Sequence, residues 1–82
     1  MLVSVFHFRG IGMRRLRLQR VLVGISQAEL ARRAGMALFR YWQIENGEGP
    51  ELNVDEQAAV AAALGVKVSE IAWPEFAKAQ AS

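Results

Sequence analysis

The stretch Ser26–Gly47 constrains this chain more than any other, because it punctuates two short helices and leaves little choice about how they meet. Ser26 is a good N-cap, and Glu29 three residues later completes a capping box, so a helix is expected from Gln27. Ala28, Leu30, Ala31 and Ala34 recur at helical spacing and give that helix one small apolar face. Gly35 supplies the left-handed backbone position that ends a helix at low cost. The helical pattern resumes at Ala37 and places Tyr41, Ile44 and Glu45 on one face, until Asn46-Gly47 stops it again.

Two short helices around an Ala-Gly turn form a helix-turn-helix, whose second helix fits the major groove of DNA. The string Ser-Gln-x-x-Leu-Ala-x-x-x-Gly, followed nine residues later by Ile-Glu-Asn-Gly, resembles the phage repressor and Cro-like helix-turn-helix family over residues 13–71. The resemblance implies an all-α, five-helix, lambda-repressor-like DNA-binding domain that regulates transcription, as a repressor, in the cytoplasm. It also implies a homodimer on a palindromic operator of double-stranded DNA, with no cofactor.

Composition narrows the alternatives. The 82 residues make one domain with a modest core, and the absence of cysteine removes disulfides, thiolate nucleophiles and cysteine-based metal sites. No apolar run approaches the roughly 18 residues of a membrane span. Serines, a single histidine and scattered carboxylates show no nucleophile–base spacing, so an enzyme is not expected. His7 has no neighbours with which to hold a metal. Net charge is only +2, but it is polarised. Residues 1–40 carry eight arginines against Glu29 alone, a balance of +7, and residues 41–82 carry two lysines against seven acids, a balance of −5. One basic half suits a polyanion.

In chain order, residues 1–12 form an extension, 13–73 the domain and 74–82 a tail or short helix. Val3, Val5 and His7 alternate with Leu2, Ser4, Phe6 and Phe8, which reads either as a short strand seeking a partner or as an irregular tail. Met13 is a candidate translation start. The first helix is expected over residues 13–23, with Met13, Leu16, Arg20 and Val23 on one stripe. An arginine there needs a buried partner. The resemblance implies that Arg20 pairs with Glu45 and holds the third helix at a fixed angle. Asn53 with Glu56 opens a helix over Val54–Leu64, whose apolar side is Val54, Ala58, Ala61 and Leu64 with Val60 alongside. Gly65 stops it, Ser69 caps a short helix through Ile71 and Trp73, and Pro74 begins a last one. No sheet is expected beyond the extension, and the alanine-rich end is expected to fray.

On DNA, Gln27 at a helix N-terminus is a natural phosphate contact, and the resemblance implies the same role. Arg40, Arg14, Arg17 and Arg33 are the leading further phosphate candidates, with Arg15 and Arg32 behind them. At a hundred degrees per residue, Phe39, Trp42, Gln43 and Asn46 point away from Tyr41 and Ile44. Gln43 can bond adenine bidentately. The family's reading positions correspond to Ala37, Leu38, Phe39 and Arg40, and here the chain departs from the pattern by offering large apolar groups. Leu38, Phe39 and Trp42 either read thymine methyls, or bind a protein, or are covered by Phe6 or Phe8. Ile71, Trp73 and Phe76 are the expected dimer contact, unless Trp73 closes the domain's own core. Two other functions use the same fold. One is an antitoxin that binds a toxin through Trp73–Ser82 or the extension; the other is a module turned over to protein–protein contact.

Overall fold

Among the described residues each α-helix is opened by an extended residue and closed by a glycine in the left-handed region, so local sequence sets most of the boundaries. The structure is a computed structural model that describes residues 14–76. Strand β1 (Arg14–Arg15) leads directly into α1 (Leu16–Val23). The motif helices α2 (Gln27–Ala34) and α3 (Leu38–Asn46) follow, and then α4 (Val54–Leu64). A single 3-10 turn over Val68–Glu70 delivers the chain into β2 (Ile71–Ala72).

The Asn53 capping box is made in full and the Ser26 one by half, since the Glu29 side chain is taken by Arg32 and Arg33. Ser69 caps no helix, because it lies inside a 3-10 turn that runs into a strand. Ser26 Oγ accepts from the Glu29 N–H at 3.0 Å. Asn53 Oδ1 accepts from the Glu56 N–H at 2.7 Å, while Glu56 Oε1 accepts from the Asn53 N–H at 3.2 Å. Each such cap stabilises a helix end by about 1 kcal/mol.

The core gathers Leu16, Leu30, Ala31, Tyr41, Ile44, Val60, Ala61, Leu64, Ile71 and Phe76. Helix α2 lies at its centre, packed on both α3 and α4. Its alanines allow that close approach.

Five points depart from the sequence-based expectation. The described residues hold four α-helices, not five, and they include a small parallel sheet in which Arg14 lies opposite Ile71 and Arg15 opposite Ala72. Burial drives this: Ile71 is drawn into the core, and its extended backbone then pairs with the residues ahead of α1. For the same reason α1 starts at Leu16 and not at residue 13, since Arg14 and Arg15 are held straight by the ladder. The stripe on α1 is also shifted, with Leu16 and Gln19 buried and Val23 exposed. Gln19 tolerates burial because its side-chain amide donates to the Glu70 carbonyl at 2.9 Å. On α4 the buried residues are Val60, Ala61 and Leu64, while Val54 and Ala58 face outward. Alanines on every side of α4 blur its periodicity, so position against α2 decides which of them are covered. The expected strand in the extension, the candidate start at Met13 and the frayed end all lie outside the described residues.

Candidate nucleic-acid interface

The site begins from what fixes α3. Arg20 Nε donates to Glu45 Oε2 at 2.6 Å and Arg20 Nη2 to Glu45 Oε1 at 3.2 Å, the fork-to-fork geometry of a bidentate pair. The Tyr41 hydroxyl donates to Glu45 Oε2 at 2.6 Å, and Gln27 Nε2 donates to Glu45 Oε1 at 2.8 Å. Arg20 Nη1 is satisfied in turn by the Ile25 carbonyl at 2.9 Å. The Glu45 side chain is only 3% exposed. Burial by itself pushes its carboxyl up, but the donors from Arg20, Tyr41 and Gln27 more than offset that and hold it below the ordinary glutamate value. Burial and the bond to Glu45 push the Tyr41 phenol well up, so it stays a donor. One carboxylate therefore ties α1, α2 and α3 together.

The opposite side of α3 is bare. Leu38 is 50%, Phe39 66% and Trp42 37% exposed. The rings of Phe39 and Trp42 stack with centroids 5.7 Å apart and planes 15° from parallel. Leu38, Phe39, Trp42 and Gln27 line an open groove of about 580 Å³. Cover by Phe6 or Phe8 concerns residues outside the described ones. Gln43 is half-buried, beside the loop that follows α3. Asn46 turns back, donating from Nδ2 to the Trp42 carbonyl at 2.8 Å. Ala37 provides no side-chain cap for the start of α3.

The arginines divide into two sets. Arg40 is committed to Glu56, with Nε and Nη2 each 2.8 Å from a carboxylate oxygen, and its Nη1 is buried without a partner. Its guanidinium is therefore held by a carboxylate at the start of α4, whereas the sequence offers it to a phosphate. The capping box explains the capture, since it fixes Glu56 at the start of α4 opposite Arg40. Arg32 and Arg33 both hold Glu29, and their hydrogen bonds bring its carboxyl down to about 2. Arg14, Arg15 and Arg17 make no ion pair among the described residues. Gln27, expected at a phosphate, spends one amide hydrogen on Glu45 while remaining at the mouth of the groove.

The expected dimer residues are placed differently. Ile71 and Phe76 are 2% and 4% exposed inside this chain's own core, so neither presents a surface to a second copy. Trp73 packs partly against that core and donates from its ring nitrogen to the Val68 carbonyl at 3.2 Å. Sequence reasoning missed the Arg40–Glu56 pair and the Gln27–Glu45 bond, which join residues 16 and 18 positions apart with no local spacing to announce them. Among the described residues no His, Cys, Asp and Glu cluster could hold a metal, and no helix is long and apolar enough to cross a membrane.

A small helical domain that anchors one helix from within and leaves its far side open has the build of a DNA-binding helix-turn-helix. A family model described as a helix-turn-helix domain matches residues 13–73, and the chain belongs to that family, of the phage repressor and Cro-like type. Neither the curated proteins nor the solved structures yield a match. Membership places the chain, at that coarse level, among DNA-binding regulators, a class that is typically not enzymatic.

Proposed function

We propose that this chain is a sequence-specific transcriptional repressor that lays α3 in the major groove of a palindromic operator. The observation that carries the reading is the contrast across α3, a helix locked on its inner side and bare on its outer side. A rigid rod with an exposed apolar face suits contact with base edges. Leu38 and the stacked Phe39–Trp42 pair are apolar, so they read thymine methyls, and Gln43 reads an adjacent adenine. Phosphates are held by Gln27, by the N–H groups at the start of α2, and by Arg14 and Arg17. Arg33 joins them if it leaves Glu29. One module of this size buries too little surface for tight specific binding, so two copies occupy half-sites about 34 Å apart.

A second reading is favoured by the same aromatic patch: Leu38, Phe39 and Trp42 grip a protein partner, such as a toxin. Duplexes selected from random DNA separate the two. Binding of the selected duplex should weaken steeply with salt, by a log–log slope of about −0.9 per phosphate neutralised. Replacing its contacted thymines by uracil, which removes only the methyl, should weaken binding about fourfold per methyl. Binding that ignores both salt and the methyl defeats the DNA reading and supports the protein one.

A further inference from the structure

The loop after α3 returns close beside it, and Glu48 N–H donates to the Gln43 carbonyl at 2.8 Å. This brings Gly49 against the end of the Gln43 side chain. A Cβ added at Gly49 would lie 2.6 Å from Gln43 Nε2, 2.7 Å from Cδ and 2.9 Å from Oε1. Three nearly equal distances mean that the flat face of the carboxamide, not one of its edges, fills the space where a side chain on Gly49 would begin. Among the described residues, no hydrogen bond holds that carboxamide. The face is seated, and neither edge is engaged by a hydrogen bond among the described residues.

We infer that Gly49 sets the direction in which Gln43 presents its carboxamide, and is thereby a specificity-determining residue that need touch no base. The inference rests on the DNA-reading role proposed above for α3. Bidentate recognition of adenine needs Oε1 and Nε2 to lie in the plane of the base, so it needs the amide plane fixed and its edges free. A glycine seat does both, because it stops the plane from tilting and offers nothing that competes for the edges. Any side chain at position 49 removes the seat. The atoms in its way are the far end of a flexible side chain, so the carboxamide swings aside and the fold persists.

Gly49 also has φ +75, so a substitution strains the backbone as well as displacing Gln43. Gly65 supplies the matched control, with φ +76 and no atom within 4 Å of an added Cβ. The experiment measures binding of the whole chain, as wild type, Gln43→Ala, Gly49→Ala and Gly65→Ala, to duplexes selected from random DNA and then varied one base pair at a time. Gly49→Asn is included because asparagine tolerates left-handed backbone, which guards against a poorly folded alanine variant. Circular dichroism checks that each variant is folded.

Gln43→Ala should lose about tenfold preference at one base pair. Both Gly49 variants should lose preference at that same pair and no other, and Gly65→Ala should keep it. The inference is overturned if the Gly49 variants retain the preference, or weaken all duplexes evenly as a strained backbone would. It is also overturned if Gln43→Ala changes no preference while wild type still binds with a steep salt dependence, an outcome that leaves the repressor reading standing. Absence of DNA binding by wild type removes both.

Discussion

On the inner side of α3, Tyr41 and Ile44 are fully buried and Glu45 gathers four hydrogen bonds from three residues. On its outer side, a few ångströms of helix away, Phe39 and Leu38 are half exposed or more, and Phe39 stacks on Trp42. The same nine-residue helix thus carries two kinds of information. The inner residues determine where the helix sits, and the outer ones are left unconstrained by folding and so are available to a ligand. Affinity and stability should accordingly respond to different substitutions.

The strongest test of that division is Glu45→Ala. It strands the Arg20 guanidinium, only 12% exposed, and removes the acceptor for Tyr41 and Gln27. Breaking one partner of such a pair costs about 3–5 kcal/mol, a large share of a small domain's stability. Urea unfolding should show it as a lowered midpoint with an unchanged slope. A change below about 1 kcal/mol would mean that apolar packing alone holds the rod.

Acid should act on the same side. The carboxyls of Glu45 and Glu56 titrate below their ordinary value of 4.5, Glu45 through its donors acting against burial and Glu56 through Arg40. A depressed carboxyl contributes stability that is complete above the unfolded value and lost as pH falls through the folded one. The unfolding midpoint should therefore hold steady near neutrality and drop below about pH 4.5. Glu45→Gln should flatten that drop. Equal pH profiles for wild type and Glu45→Gln would place the acid sensitivity elsewhere.

The smallest effect on stability belongs to the outer side. Phe39→Ala gives up one stacked pair at the surface and should cost no more than about 1 kcal/mol, while weakening binding to the selected duplex. If it destabilises as much as Glu45→Ala, the aromatic pair is part of the scaffold and the contrast collapses.

Those residues also show which parts of the molecule were legible before any coordinates. Ser26 with Glu29, Asn53 with Glu56 and the glycines at 35, 47 and 65 act within a turn of chain, so the sequence alone located the motif. The outward direction of Phe39 and Trp42 followed from helical period. What escaped depends on distant partners. The core neighbours of Ile71 come from other elements and leave no local mark, and nothing near Arg40 in the sequence names Glu56. Likewise Gln43 looked free on its helix, and only the returning loop shows that Gly49 lies against it.

The short parallel ladder between β1 and β2, together with the bond from Gln19 to Glu70 across 51 positions, has a consequence for how the protein is made. During translation both helices of the motif emerge well before the segment that fastens α1 in place. A nascent chain halted within α4 would possess the groove-reading helix yet lack its closing strand, leaving Gln19 without an acceptor and the flank of Leu16 open. Completion of the domain is thus timed to the arrival of β2 and the buried Phe76, and the protease-resistant state should appear only after Phe76 has cleared the exit tunnel.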